Sequence, residues 1–193
     1  MPTLKRTPRN TIKIGFISNF SGSYAEVVKM QFKGAQLAVH EVNKGGGVLG
    51  GMKIELLSRD DAQDPDLAEK HARELIEIQQ VDFIIGTLHS ITQLRINNVT
   101  KEWDIPFISC CQSNIITSAA ERGHYTFHES ITPYMNAQLV GKWGVHALGK
   151  RWYHIGPDYQ WGHETYVSYQ EVLARFGGEA VGKHRRSRVR RKW

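Results

Sequence analysis

The segment MKIELLSRDDAQDPDLAEKHARELIEIQQVDFIIG, residues 52–86, has the pattern of a strand, a helix and a second strand. Its two ends, 52–60 and 81–86, are short apolar runs of the kind that form buried strands. Between them, Asp64 is placed to cap a helix and Pro65 to occupy its first position. A strand, a helix and a strand in this order predict a right-handed crossover between parallel strands.

The same alternation continues on both sides of this segment. Its strands lack a regular alternation of apolar and polar residues, which predicts burial on both faces and helices on each side of a parallel sheet. The predicted fold class is therefore α/β, with a doubly wound parallel sheet. The further strands are expected at 12–18, 105–109, 125–130 and 151–156, and the helices at 23–46, 64–78, 90–103, 133–149 and 163–178.

The positive charge of the chain is concentrated at its end. The formal net charge is +6, but residues 183–193 contain seven Lys or Arg and no acid. A basic block can bind nucleic acid by displacing counterions from phosphates. Because the rest of the chain is balanced in charge, we favour a disordered or out-of-frame tail and expect no nucleic-acid partner.

Bulk features narrow the protein class further. No apolar run approaches the roughly 20 residues of a membrane span. No apolar segment follows the basic N-terminus, so the chain as written has no export signal and would be cytoplasmic. The two cysteines, Cys110 and Cys111, are adjacent and have neither a disulfide framework nor zinc-ligand spacing.

Ligands of open parallel sheets bind beyond the carboxyl ends of the strands. Two serines in these regions, Ser90 and Ser113, fall where helices are predicted to begin. A helix N-terminus suits a carboxylate or another small anion. Serine is also a common N-cap, and for either serine alone the capping role is favoured. Two such serines at neighbouring strand ends strengthen the case for binding.

Other reactive side chains are better explained without catalysis. Asp60, Asp61 and Asp64 could form a metal site or an acid–base pair, but such residues more often cap helices and fill turns. Cys110 or Cys111 could be a nucleophile, but no partner base is identifiable. No nucleotide-binding or hydrolase motif is present. We therefore expect no enzyme, no catalytic residue, no metal and no cofactor.

A set of motifs resembles a known family. The ordered segments IKIGFISNFSGSYA, NKGGGVLGGMKIEL, DDAQDP, VDFIIGTLHS and IPFIS resemble the first lobe of type I periplasmic binding proteins. The most similar group is the branched-chain amino-acid, leucine-binding-like, substrate-binding subunits of ABC transporters. The segment GPDYQWGHETYVSYQEVLARFGG, residues 156–178, resembles the start of their second lobe.

The resemblance implies a domain organisation. Residues 1–11 would be an N-terminal extension, 12–130 the first lobe and 131–182 the start of an incomplete second α/β lobe. The resemblance stops after residue 182, where the basic tail 183–193 begins. A frameshift or premature stop would explain both facts, and a chain with half of the second lobe would bind ligand poorly, since closure over a ligand needs both lobes.

The resemblance also implies a function. The chain would capture an amino acid or a related small molecule between two lobes, for delivery to an ABC permease, and would be periplasmic. Ser90 and Ser113 would hold the ligand's carboxylate and amino groups. Gln112 and Trp161 depart from the usual pattern, which leaves amide and aromatic ligands open. The predicted ligand-binding residues are Tyr24, His89, Ser90, Cys111, Gln112, Ser113 and Trp161.

Three other functions are compatible with parts of the sequence. The first is a cytoplasmic sensor of amides or amino acids that regulates transcription through a partner, which the missing export signal would favour. The second is an enzyme on a flavodoxin-like sheet, and the third is a nucleic-acid-binding protein that uses the basic tail.

Overall fold

The computed structural model of the chain describes residues 9–186. The described residues form two compact units. The first unit contains 9–111 and 118–129, and the second contains 112–117 and 130–186. The short segment 112–117 thus belongs to the second unit, although the expected first lobe, 12–130, included it.

The first unit is a five-stranded parallel sheet with three helices. The strands lie in the order β2-β1-β3-β4-β5, and every neighbouring pair is parallel. Because the chain moves from β1 to β2 in one direction and then to β3 in the other, right-handed crossovers place helices on both faces. This confirms the predicted α/β class. The elements are β1 Thr11–Ser18, α1 Ala25–Lys44, β2 Lys53–Asp60, α2 Pro65–Arg73, β3 Phe83–Gly86, α3 Ser90–Glu102, β4 Phe107–Ser109 and β5 Thr126–His128.

Helix α2 shows how the local sequence specifies an element. The side chain of Asp64 accepts hydrogen bonds from the backbone N–H groups of Asp66 and Leu67, which confirms the predicted cap. After Arg73 the helix continues as a single π-helical turn, Glu74–Ile78. Its inward face, including Ala68 and Ile76, is fully buried.

The strands of the first unit end at the same level. The register pairs Ile17 with Gly86 and Gly86 with Ser109, so β1, β3 and β4 all end within one residue of each other. We call this boundary of the sheet the carboxyl edge. The core below it includes the fully buried side chains of Ile84 and Phe107, which are partners across β3 and β4.

The second unit has two helices and two parallel strands. The helices pack closely, because a Cβ atom at Gly141 of α4 would lie 2.4 Å from Val172 Cγ1 of α5. Thr132 caps α4 by accepting a hydrogen bond from the N–H of Met135. The elements are α4 Pro133–Ala147, β6 Arg151–Pro157, α5 Gln160–Arg175 and β7 Glu179–Arg186.

Strand β7 corrects one expectation. It pairs with β6 through Arg186, so residues 183–186 are part of a sheet, and the prediction of a disordered tail is wrong for these four residues. The rest of the predicted tail, 187–193, lies outside the described residues. Among the residues that are described, no helix is both long and apolar enough to cross a membrane.

Candidate ligand-binding site

Gly86 shapes the carboxyl edge of the first unit. It ends β3 with a φ of 135°, and a Cβ atom built on it would lie 1.8 Å from the carbonyl oxygen of Ile17. Only glycine allows β3 to approach β1 this closely in that backbone conformation. The chain can then turn through 87–89 and enter α3 directly above the sheet.

A buried hydrogen-bonded group follows Gly86. Thr87 Oγ1 donates to Asp61 Oδ2 at 2.6 Å, and Asp61 Oδ1 accepts from the N–H of Gln63 at 2.9 Å. Asp61 and Thr87 are both fully buried. Burial raises the pKa of the Asp61 carboxyl, and the hydrogen bonds from Thr87 and Gln63 oppose part of that rise. The group fixes the position of the loop that leads into α3.

Helix α3 presents its N-terminus at this edge. Ser90 is its first residue, as predicted, and is 1% exposed. The favoured N-cap role of Ser90 is wrong, because the N-cap position lies one residue earlier. His89 occupies the N-cap position with extended backbone, and no side chain caps the helix there. The first N–H groups of a helix have no partner within the helix and carry its positive dipole. A 13-residue helix without a side-chain cap is therefore suited to an anion.

Cys111 lies beside this helix start. Its Sγ donates to the carbonyl oxygen of Leu88 at 3.4 Å and lies 3.8 Å from Ser90 Oγ. Its own carbonyl oxygen lies 2.7 Å from His128 Nε2. The loops after β3 and β4 are thus held together, and they bring His89, Ser90 and Cys111 into one region.

Two further buried polar residues support the loop after β4. Ser109 Oγ donates to Gln93 Oε1 at 2.6 Å and lies 3.4 Å from the N–H of Cys111. Gln93 is fully buried in α3, and its Nε2 has no hydrogen-bond partner among the described residues. Gln93 could not be identified from the sequence, since a polar residue one turn into a helix resembles an ordinary exposed position.

Two other residues singled out in the sequence, Tyr24 and Asp60, each accept hydrogen bonds from backbone N–H groups. Tyr24 is at the N-cap position of α1, and its carbonyl oxygen accepts from the N–H of Val28 at 2.9 Å. Asp60 Oδ1 accepts from the N–H groups of Ala62 and Ser21, which confirms its predicted role in a turn. Within residues 9–186, no group of three or more His, Cys, Asp or Glu side chains could hold a metal ion.

Cys110 does not have the environment of a nucleophile. Burial raises the pKa of its thiol to about 11, and the charge of Glu129 adds to the rise. The reactive form of cysteine is the thiolate, which is scarce at neutral pH for such a group.

In the second unit, Ser113 has a different environment from the predicted one. Its fully buried hydroxyl donates to both carboxylate oxygens of Glu164, at 2.9 and 3.1 Å, and the N–H of Asn114 donates to Glu164 Oε2 at 2.8 Å. The prediction that a helix begins here is wrong, because only a three-residue 3-10 turn, Ile115–Thr117, follows. Ser113 therefore lies next to a negative charge rather than at a positive helix terminus.

The other two predicted residues of the second unit are less constrained. Gln112 is exposed, while Trp161 is half-buried at the second position of α5. The Trp161 ring stacks on Tyr159 with centroids 6.3 Å apart and planes inclined by 24°. Sequence reasoning missed Glu164, since nothing in the spacing links it to a serine 51 residues earlier.

The sheet order and the polar residues at the strand ends are those of a ligand-binding α/β protein. Comparison with known families identifies which one. A family model described as periplasmic binding protein matches residues 11–187. The chain belongs to this family, which confirms the resemblance noted in the sequence. The match continues five residues past 182, where that resemblance was expected to stop.

Curated relatives resemble part of the chain. Leu/Ile/Val-binding protein homolog 8 of Brucella abortus (strain 2308) is 35% identical over 96 residues, which cover 50% of this chain and 23% of the relative. Homolog 7 of Brucella suis biovar 1 (strain 1330) is 36% identical over 96 residues, which cover 50% of this chain and 24% of the relative. The matched region thus spans about a quarter of each relative.

Solved structures match most of the chain. A periplasmic binding protein from Burkholderia mallei has a TM-score of 0.84 and 27% identity, and the match covers 92% of this chain and 47% of that one. A solute-binding protein of an ABC transporter from Rhodopseudomonas palustris BisB5, in complex with 3,4-dihydroxybenzoic acid, has a TM-score of 0.82 and 27% identity, with the same coverage. The chain spans about half the length of these structures.

Proposed function

We propose that this chain acts in solute capture for an ABC transporter and that its first unit binds the carboxylate of a small organic acid. The observation that carries the proposal is the start of α3, which has no side-chain cap and has Ser90 buried beside Cys111. A carboxylate placed there would accept from the first N–H groups of α3 and from the Ser90 hydroxyl. His89, Tyr24 and the backbone of Cys111 would surround it.

The names of the relatives support a ligand of this chemistry. One group is named for leucine, isoleucine and valine, and one structural neighbour holds 3,4-dihydroxybenzoic acid. These molecules share a carboxylate attached to an apolar body. The same family membership supports a periplasmic location and an ABC permease as the partner. None of the relatives described above is named as a transcriptional sensor.

For the second unit, we propose a role in binding only for Ser113, together with Glu164. The carboxylate of Glu164 beside Ser113 offers an acceptor for an ammonium group, in keeping with the predicted role of Ser113 toward an amino group. The roles of Gln112 and Trp161 stay predictions.

The experiment compares two substitutions at one position by ligand-detected NMR saturation transfer at millimolar ligand, a method that detects weak binding. Ser90→Pro removes both the hydroxyl and the first N–H of α3, and proline is accepted at the first position of a helix. Ser90→Ala removes only the hydroxyl. The probes are leucine and benzoate, with leucinamide and benzamide as controls that lack the carboxylate.

We expect both acids to bind saturably and the two amides to bind at least fivefold more weakly. Ser90→Ala should weaken binding of the acids by about fivefold, the equivalent of about one hydrogen bond, and Ser90→Pro by more. Thermal unfolding of each variant separates loss of binding from loss of the fold. Equal binding of acids and amides, or unchanged binding by a folded Ser90→Pro variant, would overturn the proposal.

A further inference from the structure

A cavity lies within the second unit, and none of its lining residues is among those proposed above for carboxylate capture. It has a volume of about 130 Å³ and lies between α5 and the two strands β6 and β7. Its walls are mostly aromatic. They include Trp152, His154, Tyr166, Tyr169, Leu173 and Ala180.

The aromatic walls are held in place by other contacts. Trp152 Nε1 donates to the carbonyl oxygen of Gly149 at 2.7 Å. The indole lies against α4, where a Cβ atom at Gly144 would be 2.4 Å from Trp152 Cζ2. On the other side, Trp152 is paired in register with Ala180, whose small side chain leaves space. The Trp152 ring is held in place and the Ala180 methyl group is small, so neither side chain fills the space between them.

The rings form two pairs along the cavity. Trp152 and Tyr169 have centroids 5.8 Å apart with planes inclined by 32°, and His154 and Tyr166 have centroids 5.4 Å apart. Aromatic faces and edges of this kind favour another ring over an aliphatic chain, since offset and edge-to-face contacts add to the burial of apolar area.

Positive charge lies next to the cavity wall formed by Tyr166, and we call this side of the cavity its mouth. Lys183 Nζ lies 4.5 Å from the centroid of the Tyr166 ring. The pKa of His154 is lowered, chiefly by burial and further by the charges of Arg185 and Lys183. Asp158 lies 4.0 Å from Arg185 and balances part of that charge, while no acid is among the described residues that line the cavity. An anionic substituent would therefore be favoured at the mouth.

We infer that this cavity is a second binding site, for a single aromatic ring that carries a carboxylate. Its volume is close to that of a cavity of about 150 Å³ that holds benzene in another protein, so one ring fits and two do not. The ring would lie among Trp152, Tyr169 and Leu173, with its carboxylate directed to Lys183. The inference does not depend on the proposed function, because none of these residues takes part in the edge of the first unit.

The test follows the indole N–H signal of Trp152 in two-dimensional NMR spectra of the full chain, assigned with Trp152→Phe. The probe is 4-fluorobenzoate, and 4-fluorobenzamide is the neutral control. Ala180→Leu fills the cavity, and Val181→Leu places a leucine at the next, exposed position of β7. Lys183→Gln removes the charge at the mouth. Ser90→Pro reports on the first unit alone.

We expect a saturable shift of the Trp152 signal with 4-fluorobenzoate in the parent chain, in Val181→Leu and in Ser90→Pro. Ala180→Leu should abolish it, and Lys183→Gln should weaken binding of the acid about fivefold while leaving the amide unchanged. No saturable shift in the parent chain, or the same shift in a folded Ala180→Leu variant, would overturn the inference. If the Trp152 signal still shifts in Ser90→Pro, the cavity binds the probe whether or not the first unit binds a carboxylate.

Discussion

Thr87 donates a 2.6 Å hydrogen bond to Asp61, and both side chains are fully buried. The two residues follow strands β3 and β2, which are separated in the sheet by β1. The bond therefore passes over the end of β1 at the carboxyl edge and connects the loop before α3 to the loop before α2. Its loss should affect the position of α3, on which the proposed carboxylate site depends.

Thr87→Val should destabilise the first unit. Valine has nearly the shape of threonine but removes the hydroxyl donor at 2.6 Å from the buried carboxylate of Asp61, which costs about 1–3 kcal/mol. Thr87→Ser keeps the donor and should cost less. Urea unfolding followed by circular dichroism measures both. A Thr87→Val variant as stable as Thr87→Ser would show that the hydrogen bond contributes little.

The pH dependence of stability should reveal the environment of Asp61. Because burial raises the pKa of its carboxyl in the folded state, the folded chain binds this proton more tightly than the unfolded chain does. The resulting stabilisation is complete below the unfolded pKa, about 3.9 for Asp, and is lost as pH rises through the folded pKa.

Asp61→Asn isolates this effect, since asparagine does not titrate. The parent chain should lose stability relative to Asp61→Asn as pH rises from 3 to 7, measured as the difference in urea midpoints. If the parent chain instead became more stable relative to Asp61→Asn as pH rises, the hydrogen bonds to Asp61 would lower its pKa by more than burial raises it.

Much of the first unit could be predicted from the sequence, because its signals are local. The Asp64–Pro65 cap, the buried face of α2 and the start of α3 at Ser90 depend on neighbours within a few residues. The doubly wound arrangement followed from the handedness of crossovers, whereas the strand order β2-β1-β3-β4-β5 was not among the predictions. The environment of Ser113 could not be predicted, because it depends on Glu164, which only the packing of the second unit brings near.

The buried polar residues of the edge show the same limit. Asp61 was assigned to a turn, and its backbone contact with Gln63 agrees with that assignment. Its bond to Thr87 depends on strand register, since it connects residues 26 positions apart. The partner of Gln93, Ser109, is likewise on another strand end. Residue type and position predicted which residues lie at the carboxyl edge. They did not predict which polar side chains form hydrogen bonds with each other there.

Gly86→Ala should prevent the normal approach of β3 to β1. A Cβ atom at this position would lie 1.8 Å from the carbonyl oxygen of Ile17, so the backbone must move. We expect a loss of several kcal/mol, within the exceptional range of more than about 4 kcal/mol for single substitutions, seen as a large fall in Tm or insoluble expression.

Gly34→Ala is the matched control for this change. Gly34 is in the interior of α1, and nothing lies within 4 Å of a Cβ atom built there. Alanine should stabilise the helix by about 0.5–1 kcal/mol. Similar effects of the two substitutions on Tm would contradict the close approach at Gly86.

The thiol of Cys110 should react slowly with alkylating reagents. A rise of its pKa from 9.0 to about 11 lowers the thiolate fraction at pH 8 about 100-fold. In the Cys111→Ala variant, which leaves one thiol, the rate with iodoacetamide should be at least about 100-fold lower in the folded chain than in urea. An alkylation rate in the folded chain close to that in urea would mean that Cys110 is not protected by burial and that its pKa is not raised. Cys110 would then again be a candidate nucleophile.

Glu164 should hold the segment 112–117 within the second unit. Its carboxylate accepts from the Ser113 hydroxyl and the Asn114 N–H, and Gln160 Nε2 donates to it at 3.0 Å. A hydrogen bond to a charged group contributes about 1.5–3 kcal/mol, so its removal should speed amide exchange at Asn114 by about 10- to 100-fold. Hydrogen–deuterium exchange of Glu164→Ala, read by NMR, measures this.

Glu171→Ala provides the comparison for that change, because Glu171 is an exposed glutamate two turns further along α5. It removes the same charge and the same side-chain length without touching 112–117, so exchange at Asn114 should be unaltered. Equal acceleration in the two variants would point to a general loosening of α5. Acceleration confined to Glu164→Ala, with the Tm nearly unchanged, would show that one carboxylate fixes this segment and thereby the position of Ser113.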